Sequence, residues 1–358
     1  MKMKTDRRQF LAMAASSCLC TSPNLAFGNP ASSAGIVGKG QYQYKMDHDF
    51  LKLPNKYQWQ TTHNVAVDND NNLYVIHEGD PKKKDHPSIF VFDSEGKFIR
   101  AFGNQFQGGG HGLEIRSENG EEYLYVTAYQ ALKTFAKLTL KGKTVWQKFA
   151  PMESERYAKD EDKKRTKSWG RDRFMPTNIA FHPDGGFFVA DGYGAWCIHR
   201  YDKDATYVST FGRPGKKDGE FSLPHGIWID LRSGQTNIVI ADRANARLQW
   251  FDLDGNHKKT MNDFILPANV DSKGELLLVP DLASRVTLIN RDNKIVAQLG
   301  DDENWRSKVK KDGSVRTKPK EWKQDRFIHP HDACFDKAGN IYVAEWVGTG
   351  RVTKLTKV

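Results

Sequence analysis

The 358-residue sequence is poor in cysteine and in catalytic signatures. It has four cysteines, of which Cys18 and Cys20 lie in an N-terminal stretch described below. The other two, Cys197 and Cys334, have no framework spacing, so we expect no disulfide scaffold and two buried, small apolar side chains. The patterns CxxC, GxSxG and HExxH are absent, which excludes the enzyme classes that these motifs define.

Helix signals are also scarce along the whole chain. The glycines of "QGGGHG" (residues 107–112) are not followed by a helical pattern, which argues against a phosphate-binding loop. Hydrophobic residues make up 38% of the chain and aromatic residues 11%, so it can bury a full core and is neither disordered nor fibrous. The formal net charge is +10.

The N-terminus has the pattern of an export signal. It runs "MKMKTDRRQFLAMAASSCLC", with Arg7 and Arg8 before roughly a dozen apolar or small residues, about half a membrane span. This pattern predicts a twin-arginine signal peptide over residues 1–28, with cleavage after Gly28. We therefore expect a periplasmic or extracellular protein with no membrane span in the mature chain. The twin-arginine route often carries folded proteins with their cofactors, which weakly favours a metal.

One sequence pattern recurs six times. It consists of alternating apolar residues, an Asp with a Gly or Asn turn, and an aliphatic-aromatic run. The units begin at Thr62, Gly110, Pro176, Pro224, Pro267 and Pro330. Alternation with period two and tight turns predicts antiparallel strands. Units of roughly 45 residues with about four strands are typical of propeller blades.

Two of these units, "VADGYGAWCIHRYD" and "IADRANARLQWFDLDG", resemble the NHL repeat. The resemblance implies an all-β fold, a six-bladed propeller over residues 58–358 preceded by an N-terminal segment, residues 29–57. The last unit ends at Val358 after three clear strands. We therefore expect "QYQYKM", residues 41–46, to supply the outer strand that closes the ring.

One aligned position, at the start of each innermost strand, is rich in histidine. Its occupants are His63, His111, Thr177, His225, Ala268 and His331. Innermost strands line a propeller's channel, so His111, His225 and His331, from alternate blades, should point at its axis. Three neutral imidazoles with an open position are a common zinc site, and they also suit Fe, Cu or Ni. The alternative is a wet channel that simply collects polar side chains.

Two further histidines fall outside this set of three. His63 breaks the alternation, and we interpret it as an accessory residue: a channel residue, a fourth ligand or a partner of a ligand. His329 precedes the aligned position and has no counterpart in other units, so we expect it at the rim.

The histidine motifs "HGL", "LPHG" and "PHDA" and the turns after each second strand together resemble the peptidyl-α-hydroxyglycine α-amidating lyase family. The resemblance implies catalytic zinc on His111, His225 and His331. It also implies a structural calcium, Ca²⁺, on Asp332 and on the backbone carbonyls of Val65 and Leu113. It matches the family's catalytic tyrosine to Tyr193 and an active-site arginine to Arg243. The metal cation and Arg243 together should lower the pKa of the Tyr193 phenol.

The chain also departs from the family pattern at three positions. Glu78 replaces a second arginine, His329 replaces a methionine, and Gly194 replaces a cysteine. A glutamate beside the metal would repel an anionic group or act as a catalytic base. The resemblance therefore supports the predicted metal ligands more strongly than it supports the family's amidating substrate.

Three functions remain open at this point. The first is a zinc-dependent lyase that cleaves a carbinolamide and releases glyoxylate, with a small-molecule or peptide substrate at the channel mouth. The second is a lactone or ester hydrolase with Glu78 as base. The third is a non-enzymatic, monomeric propeller that binds a protein or glycan through basic insertions at residues 152–174 and 303–327; export argues against nucleic acid. Such insertions are otherwise solvated loops or an active-site rim.

Overall fold

A computed structural model describes residues 35–164, 166 and 168–358, and these residues form six antiparallel sheets. The innermost strands of successive sheets contact one another around a central channel. The chain is thus a six-bladed β-propeller, as the repeats predicted. The predicted signal peptide, residues 1–28, lies outside the described residues.

Blades 1 to 5 each contain four strands, and the first strand of each blade lines the channel. The bounds are β3 Thr62–Val67, β4 Leu73–His77, β5 Ile89–Phe92 and β6 Phe98–Phe102 in blade 1; β7 Gly110–Glu118, β8 Glu121–Ala128, β9 Thr134–Thr139 and β10 Thr144–Lys148 in blade 2; β11 Asn178–Phe181, β12 Phe187–Ala190, β13 Ile198–Tyr201 and β14 Tyr207–Phe211 in blade 3; β15 Pro224–Asp230, β16 Asn237–Asp242, β17 Arg247–Phe251 and β18 His257–Met261 in blade 4; and β19 Asp271–Lys273, β20 Leu276–Asp281, β21 Arg285–Ile289 and β22 Ile295–Leu299 in blade 5.

Blade 6 joins the two ends of the propeller. It contains β23 (Pro330–Phe335), β24 (Ile341–Glu345) and β25 (Arg351–Lys357), and β2 (Tyr42–Asp47) pairs with β25 as the predicted closing strand. A further strand, β1 (Ile36–Lys39), pairs with β2 and makes this sheet five-stranded. Closure by a distant strand protects the edge that β25 would otherwise expose.

Apolar side chains fill the spaces between blades. Six clusters of buried hydrophobic residues each combine side chains of two neighbouring blades. Every blade is covered by a neighbouring blade on each side. Side chains that alternate along a strand are therefore buried on both faces of its sheet. The two cysteines are free; Cys197 is buried as expected, whereas Cys334 is partly exposed.

In blades 3, 4 and 6, a carboxylate at the end of the second strand fixes the chain segment that leads into the innermost strand. Asp191 accepts a hydrogen bond from the Met175 amide at 2.7 Å, and Asp242 accepts one from the Ser222 amide at 2.7 Å. In blade 6, Glu345 accepts a hydrogen bond from the Ile328 amide at 2.6 Å. These contacts explain the repeated "AD" of the sequence and place the aligned position reproducibly at the channel mouth.

The insertion at residues 303–327 is folded. It contains helix α1 (Glu303–Lys311) and two 3-10 turns, Gly313–Thr317 and Pro319–Glu321. Asp302 caps α1 by accepting from the Trp305 amide at 2.8 Å. Trp305 and Val309 are buried against blade 6 residues, so this insertion is more than a solvated loop. A 3-10 turn, Met152–Ser154, begins the other insertion.

Candidate metal centre

The four channel histidines share a backbone feature. Each lies where the pairing between the first and second strands of its blade shifts register, so His63, His225 and His331 have no partner opposite them, and neither does the pair His111-Gly112. A β-bulge of this kind turns the extra side chain out of the alternating pattern. Blade 5 has a shift of the same size around Ala268, between the bridge Pro267–Asp281 and the pair Asp271–Leu278, so the bulge belongs to the repeat rather than to the histidines alone. Where the residue at the bulge is a histidine, the bulge directs its imidazole into the channel.

Backbone carbonyls fix the orientation of three of these rings. The Nδ1 atoms of His111, His225 and His331 lie 2.7, 2.6 and 2.7 Å from carbonyl oxygens of the next blade. Those oxygens belong to the aligned residues of blades 3, 5 and 1: Thr177, Ala268 and His63. Because a carbonyl only accepts, each Nδ1 must carry the proton. Each Nε2 is then a lone-pair donor, held as a metal ligand needs.

The three Nε2 atoms converge without enough protons to satisfy them. His111 Nε2 and His225 Nε2 lie 3.1 Å apart, and His331 Nε2 is buried with no hydrogen-bond partner among the described residues. Burial holds the pKa of all three imidazoles well below the usual range, so they are neutral. Facing lone pairs in a buried site call for a cation, and the residues present therefore fit a metal ion.

His63 is part of the same cluster but differs from the other three. Its ring centroid lies 4.7 Å from that of His111 and 4.6 Å from that of His331. Its Nε2 lies 3.5 Å from Glu78 Oε2, a contact too poorly aligned to count as a hydrogen bond, and its ring nitrogens have no hydrogen-bond partner among the described residues. One ring nitrogen each of His63, His111 and His331 lies within 4.8 Å of the other two, so these three can hold one ion. This set differs from the predicted one, in which His225, whose Nε2 is 3.1 Å from His111 Nε2, stands in place of His63. The structure thus brings the predicted accessory histidine to the centre without fixing its ring.

Tyr193 and Arg243 lie directly beside the imidazoles. The Tyr193 hydroxyl is 3.0 Å from His225 Nε2 and 3.3 Å from His111 Nε2, and it accepts a hydrogen bond from Arg243 Nη2 at 3.2 Å. Burial raises the pKa of the Tyr193 phenol, and the guanidinium acts in the opposite direction. Arg243 alone does not offset burial, and the lowering of this pKa by the metal cation together with Arg243 stays a prediction.

Glu78 is held in its charged form on the blade 1 side. Its Oε1 accepts hydrogen bonds from the Tyr129 hydroxyl at 2.8 Å and from Gln130 Nε2 at 2.7 Å. Burial would raise the Glu78 pKa, but His63 and Tyr129 outweigh it and the pKa is lowered. Sequence reasoning missed Tyr129, which directly follows β8, whereas Tyr193 lies three residues beyond the end of β12.

A layer of buried carboxylates and amides lies beside the histidines. Asp332 accepts from the Val65 amide at 2.8 Å and contacts Asn269 Nδ2. Asn178 Nδ2 donates to Glu114 Oε1 at 3.0 Å and to Asn269 Oδ1 at 2.9 Å. Burial raises the pKa of Asp332 to about 7 and that of Glu114 well above its usual range.

This layer also has unsatisfied oxygens. The Oδ1 atoms of Asn64 and Asn178 are buried and have no hydrogen-bond partner within the described part of the chain. Two buried carboxylates next to free amide oxygens fit a hard cation such as calcium. The predicted calcium residues Asp332, Val65 and Leu113 are all buried here. Sequence reasoning missed Asn64, Asn178 and Asn269, although each directly follows the aligned position of an odd-numbered blade.

A cavity of about 300 Å³ opens over the histidines. Its lining includes His331, Tyr193, Arg243 and the aromatic residues Tyr129, Trp169, Trp196 and Trp346. Residues of the 152–174 insertion form one wall, where Arg171 donates to the Tyr193 carbonyl at 3.1 Å and stacks over Trp196 at 3.9 Å. The insertion thus brings a second guanidinium to the cavity, which the blade pattern did not predict.

The other departures from the family pattern have clear positions. At Gly194 a Cβ would lie 2.0 Å from the Arg173 carbonyl and 2.2 Å from an Asp191 carboxylate oxygen, so no cysteine fits there. His329 is outside the cluster. Its Nδ1 donates to the Leu282 carbonyl at 2.7 Å, and its buried ring lies 5.8 Å from that of Trp346.

The fold and the centre define this chain as a propeller with buried imidazoles at its channel mouth. A scan against protein-family models finds no match. Peptidyl-glycine α-amidating monooxygenase B of Xenopus laevis is 25% identical over 223 residues, 55% of this chain and 23% of that protein. The human NHL repeat-containing protein 3 is 27% identical over 217 residues, 59% of this chain and 57% of that protein.

A probable peptidyl-α-hydroxyglycine α-amidating lyase of Caenorhabditis elegans is 26% identical over 167 residues, covering 46% of this chain and 43% of that protein. Virginiamycin B lyase of Staphylococcus aureus shares the fold, with a TM-score of 0.54 and 14% identity over 88% of this chain and all of that one. The chain's homologues are thus NHL-repeat proteins and amidating enzymes, and it spans less than two thirds of the length of each of these three sequence relatives. No helix in the described residues is long and apolar enough to cross a membrane.

Proposed function

We propose that the protein is a zinc-dependent lyase that cleaves N-acyl-α-hydroxyglycines into an amide and glyoxylate. The observation that carries this proposal is the convergence of three Nε2 lone pairs, each fixed by an Nδ1 contact to a carbonyl, beside the Tyr193–Arg243 pair. His111, His225 and His331 would hold the metal. A zinc ion held by three imidazoles acts as a Lewis acid toward a substrate hydroxyl or carbonyl.

The protein's own residues provide the proton transfers. Loss of the hydroxyl proton, formation of the aldehyde C=O, cleavage of the C–N bond and protonation of the amide nitrogen balance the reaction. Tyr193 would accept the hydroxyl proton and return it to nitrogen, with its anion stabilised by Arg243 together with the charge of a bound metal ion, since Arg243 alone does not offset burial. Arg243 and Arg171, which both line the cavity, would receive the substrate carboxylate away from Glu78.

The remaining parts of the proposal concern the second ion and the location. Asp332, with carbonyl or amide oxygens of the neighbouring inner strands, would hold a structural calcium ion that ties blades together. The twin-arginine pattern supports export to the periplasm or the outside, and we propose a monomer acting on a small-molecule or peptide substrate.

The test is glyoxylate release from N-benzoyl-α-hydroxyglycine by the mature protein. Wild type should release glyoxylate, and Tyr193→Phe should lower kcat by about 10²–10⁴-fold with metal content unchanged, because a positioned acid–base group contributes that much. Tyr207→Phe, a tyrosine of outer strand β14, is the matched control. Absence of glyoxylate from metal-loaded wild type would reject the lyase.

Glu78 supports a second candidate, a lactone or ester hydrolase. Its ionised carboxylate lies 3.5 Å from His63 at the edge of the centre, where it could act as a general base for water. Metal-dependent cleavage of a simple lactone that Glu78→Gln abolishes, together with no glyoxylate release, would favour the hydrolase. Absence of both reactions and of bound metal would leave a binding propeller.

A further inference from the structure

A second cavity adjoins the one over the histidines. Its volume is about 330 Å³, and it shares three lining residues, Leu266, Leu282 and Trp346, with the first. The two cavities therefore lie side by side, with Trp346 in the wall that they share. The far end of the second cavity is formed by the 303–327 insertion, which contributes Val309, Lys310, Lys311 and Arg316.

Arg316 is held by a tryptophan ring and a backbone contact, and the Glu78 carboxylate attracts its charge without forming an ion pair with it. Its guanidinium lies 3.4 Å from the centroid of the Trp346 ring, and its backbone carbonyl accepts from the Gly348 amide at 2.9 Å. Its Nε is buried with no hydrogen-bond partner, and no carboxylate of the described residues forms an ion pair with it. A half-buried guanidinium that is held in place and lacks an acceptor is suited to an anion.

Two lysines extend this positive end. Lys310 and Lys311 form no ion pair within the described residues, whereas Lys308 of the same helix pairs with Glu321 at 2.8 Å. Cations at a helix C-terminus also stabilise the helix dipole. The dipole accounts for the lysines but not for the Arg316 Nε that lacks a hydrogen-bond partner, and none of the described residues that line this cavity is acidic.

Resting on the proposed function, we propose that the second cavity is a substrate subsite for an anionic group at the end remote from the bond that is cleaved. The substrate would place its hydroxyglycine end at the histidines, an apolar or aromatic segment across Trp346, and a carboxylate or phosphate between Arg316 and the two lysines. Charge complementarity of this kind selects among acyl groups that the metal centre alone would treat alike.

Binding of a pair of probes tests the subsite without catalysis. 8-Anilinonaphthalene-1-sulfonate and N-phenyl-1-naphthylamine share an aromatic body and differ in the sulfonate. The triple variant Lys310→Gln/Lys311→Gln/Arg316→Gln should bind the sulfonate about tenfold more weakly, with the neutral probe changed less than twofold. The charge-matched control is Lys97→Gln/Lys148→Gln/Lys273→Gln, three exposed lysines of blades 1, 2 and 5, and it should match wild type.

The design separates this inference from the proposed function. The probe difference should persist after metal removal, because the second cavity contributes no ligand to the histidine centre. The double variant Lys310→Gln/Lys311→Gln, at two exposed positions, should show about a threefold effect even if the triple variant folds poorly. Equal losses for both probes, or an unchanged sulfonate affinity in both variants, would overturn the subsite.

A kinetic experiment identifies the anion. N-Benzoyl-α-hydroxyglycine is compared with its 4-carboxy and 4-phosphono derivatives, and the preferred derivative should have about tenfold higher kcat/KM through a lower KM. The triple variant should lose this preference and keep the kcat of the neutral substrate. Retention of the preference would overturn the subsite even with an active lyase, whereas no turnover of any substrate would reject the lyase and leave the probe result standing.

Discussion

Even-numbered and odd-numbered blades contribute different chemical groups to the channel mouth. Blades 2, 4 and 6 present a histidine on a β-bulge, followed by glycine or aspartate. Blades 1, 3 and 5 present the carbonyl that fixes that histidine, followed by Asn64, Asn178 or Asn269. The propeller therefore has six blades, but the pair of a histidine and the carbonyl that orients it occurs three times around the channel.

This difference shows why the residue identities alternate. The donating blades need a specific side chain, whereas the accepting blades contribute only backbone, so Thr177 and Ala268 serve equally well. His63 is an accepting residue that also has an imidazole. The comparison predicts that substitutions in even blades remove the metal and those in odd blades do not.

Replacement of His225 by alanine is the largest test of this comparison. Wild type should contain about one zinc ion per mature chain by elemental analysis, and His225→Ala should contain less than a tenth of that. Activity should fall by at least about 10³-fold, because the Lewis acid and its orientation of substrate are both lost. The fold should survive, because each blade interface has its own apolar cluster.

His257→Ala, in outer strand β18 of the same blade, is the control and should retain its zinc. A wild-type protein without any transition metal would contradict the assignment, as would a His225→Ala variant with full zinc content.

The sequence predicted the blades and the histidine cluster because both depend on repeated local patterns. Alternation and turns recur in every unit, so alignment alone placed His111, His225 and His331 on alternate blades and residues 41–46 at the closing edge. The bulges were not predictable, because register shifts depend on pairing between strands. Arg171 and the Arg316 end of the second cavity belong to insertions that each occur in one blade only. They could not be predicted, because no other repeat provides a sequence to align with them.

The carboxylate layer gives the second prediction, which combines calcium removal and pH. Burial raises the pKa of Asp271 and Asp332 to about 7, above their values in the unfolded chain. Their contribution to the free energy of unfolding is thus full below about pH 4 and lost as pH rises through about 7. With EGTA, Tm should fall by about 5–10 °C between pH 6 and pH 8, as buried carboxylates ionise without a partner.

Saturating calcium should abolish this fall, because the ion pairs with the ionised carboxylates. Asp332→Asn should weaken the effect of calcium, and Asp336→Asn, four residues along the same blade, is the comparison variant. A Tm at pH 8 that is the same with EGTA and with calcium would contradict the site.

Gly226→Ala tests the close contact between an even and an odd blade. A Cβ at this position would lie 2.4 Å from Asn269 Cα, a backbone atom that cannot move away alone. Urea unfolding should show a loss of about 1–3 kcal/mol in the free energy of unfolding, as overpacking does elsewhere. Gly348→Ala, whose nearest neighbour would be the Thr317 methyl group at 3.1 Å, should cost less. Equal losses would mean that the contact between the blades carries no special constraint.

The smallest expected effect belongs to His63, where the two kinds of blade meet in one residue. His63→Ala removes the imidazole but keeps the carbonyl that accepts from His331 Nδ1. The zinc content should therefore stay near wild type while the affinity for zinc, measured by competition with a chelator, falls by less than about tenfold. A loss of zinc as complete as that in His225→Ala would show that His63 is a ligand and would contradict the division between even and odd blades. Unchanged zinc content with an altered kcat would indicate that His63 contacts the substrate.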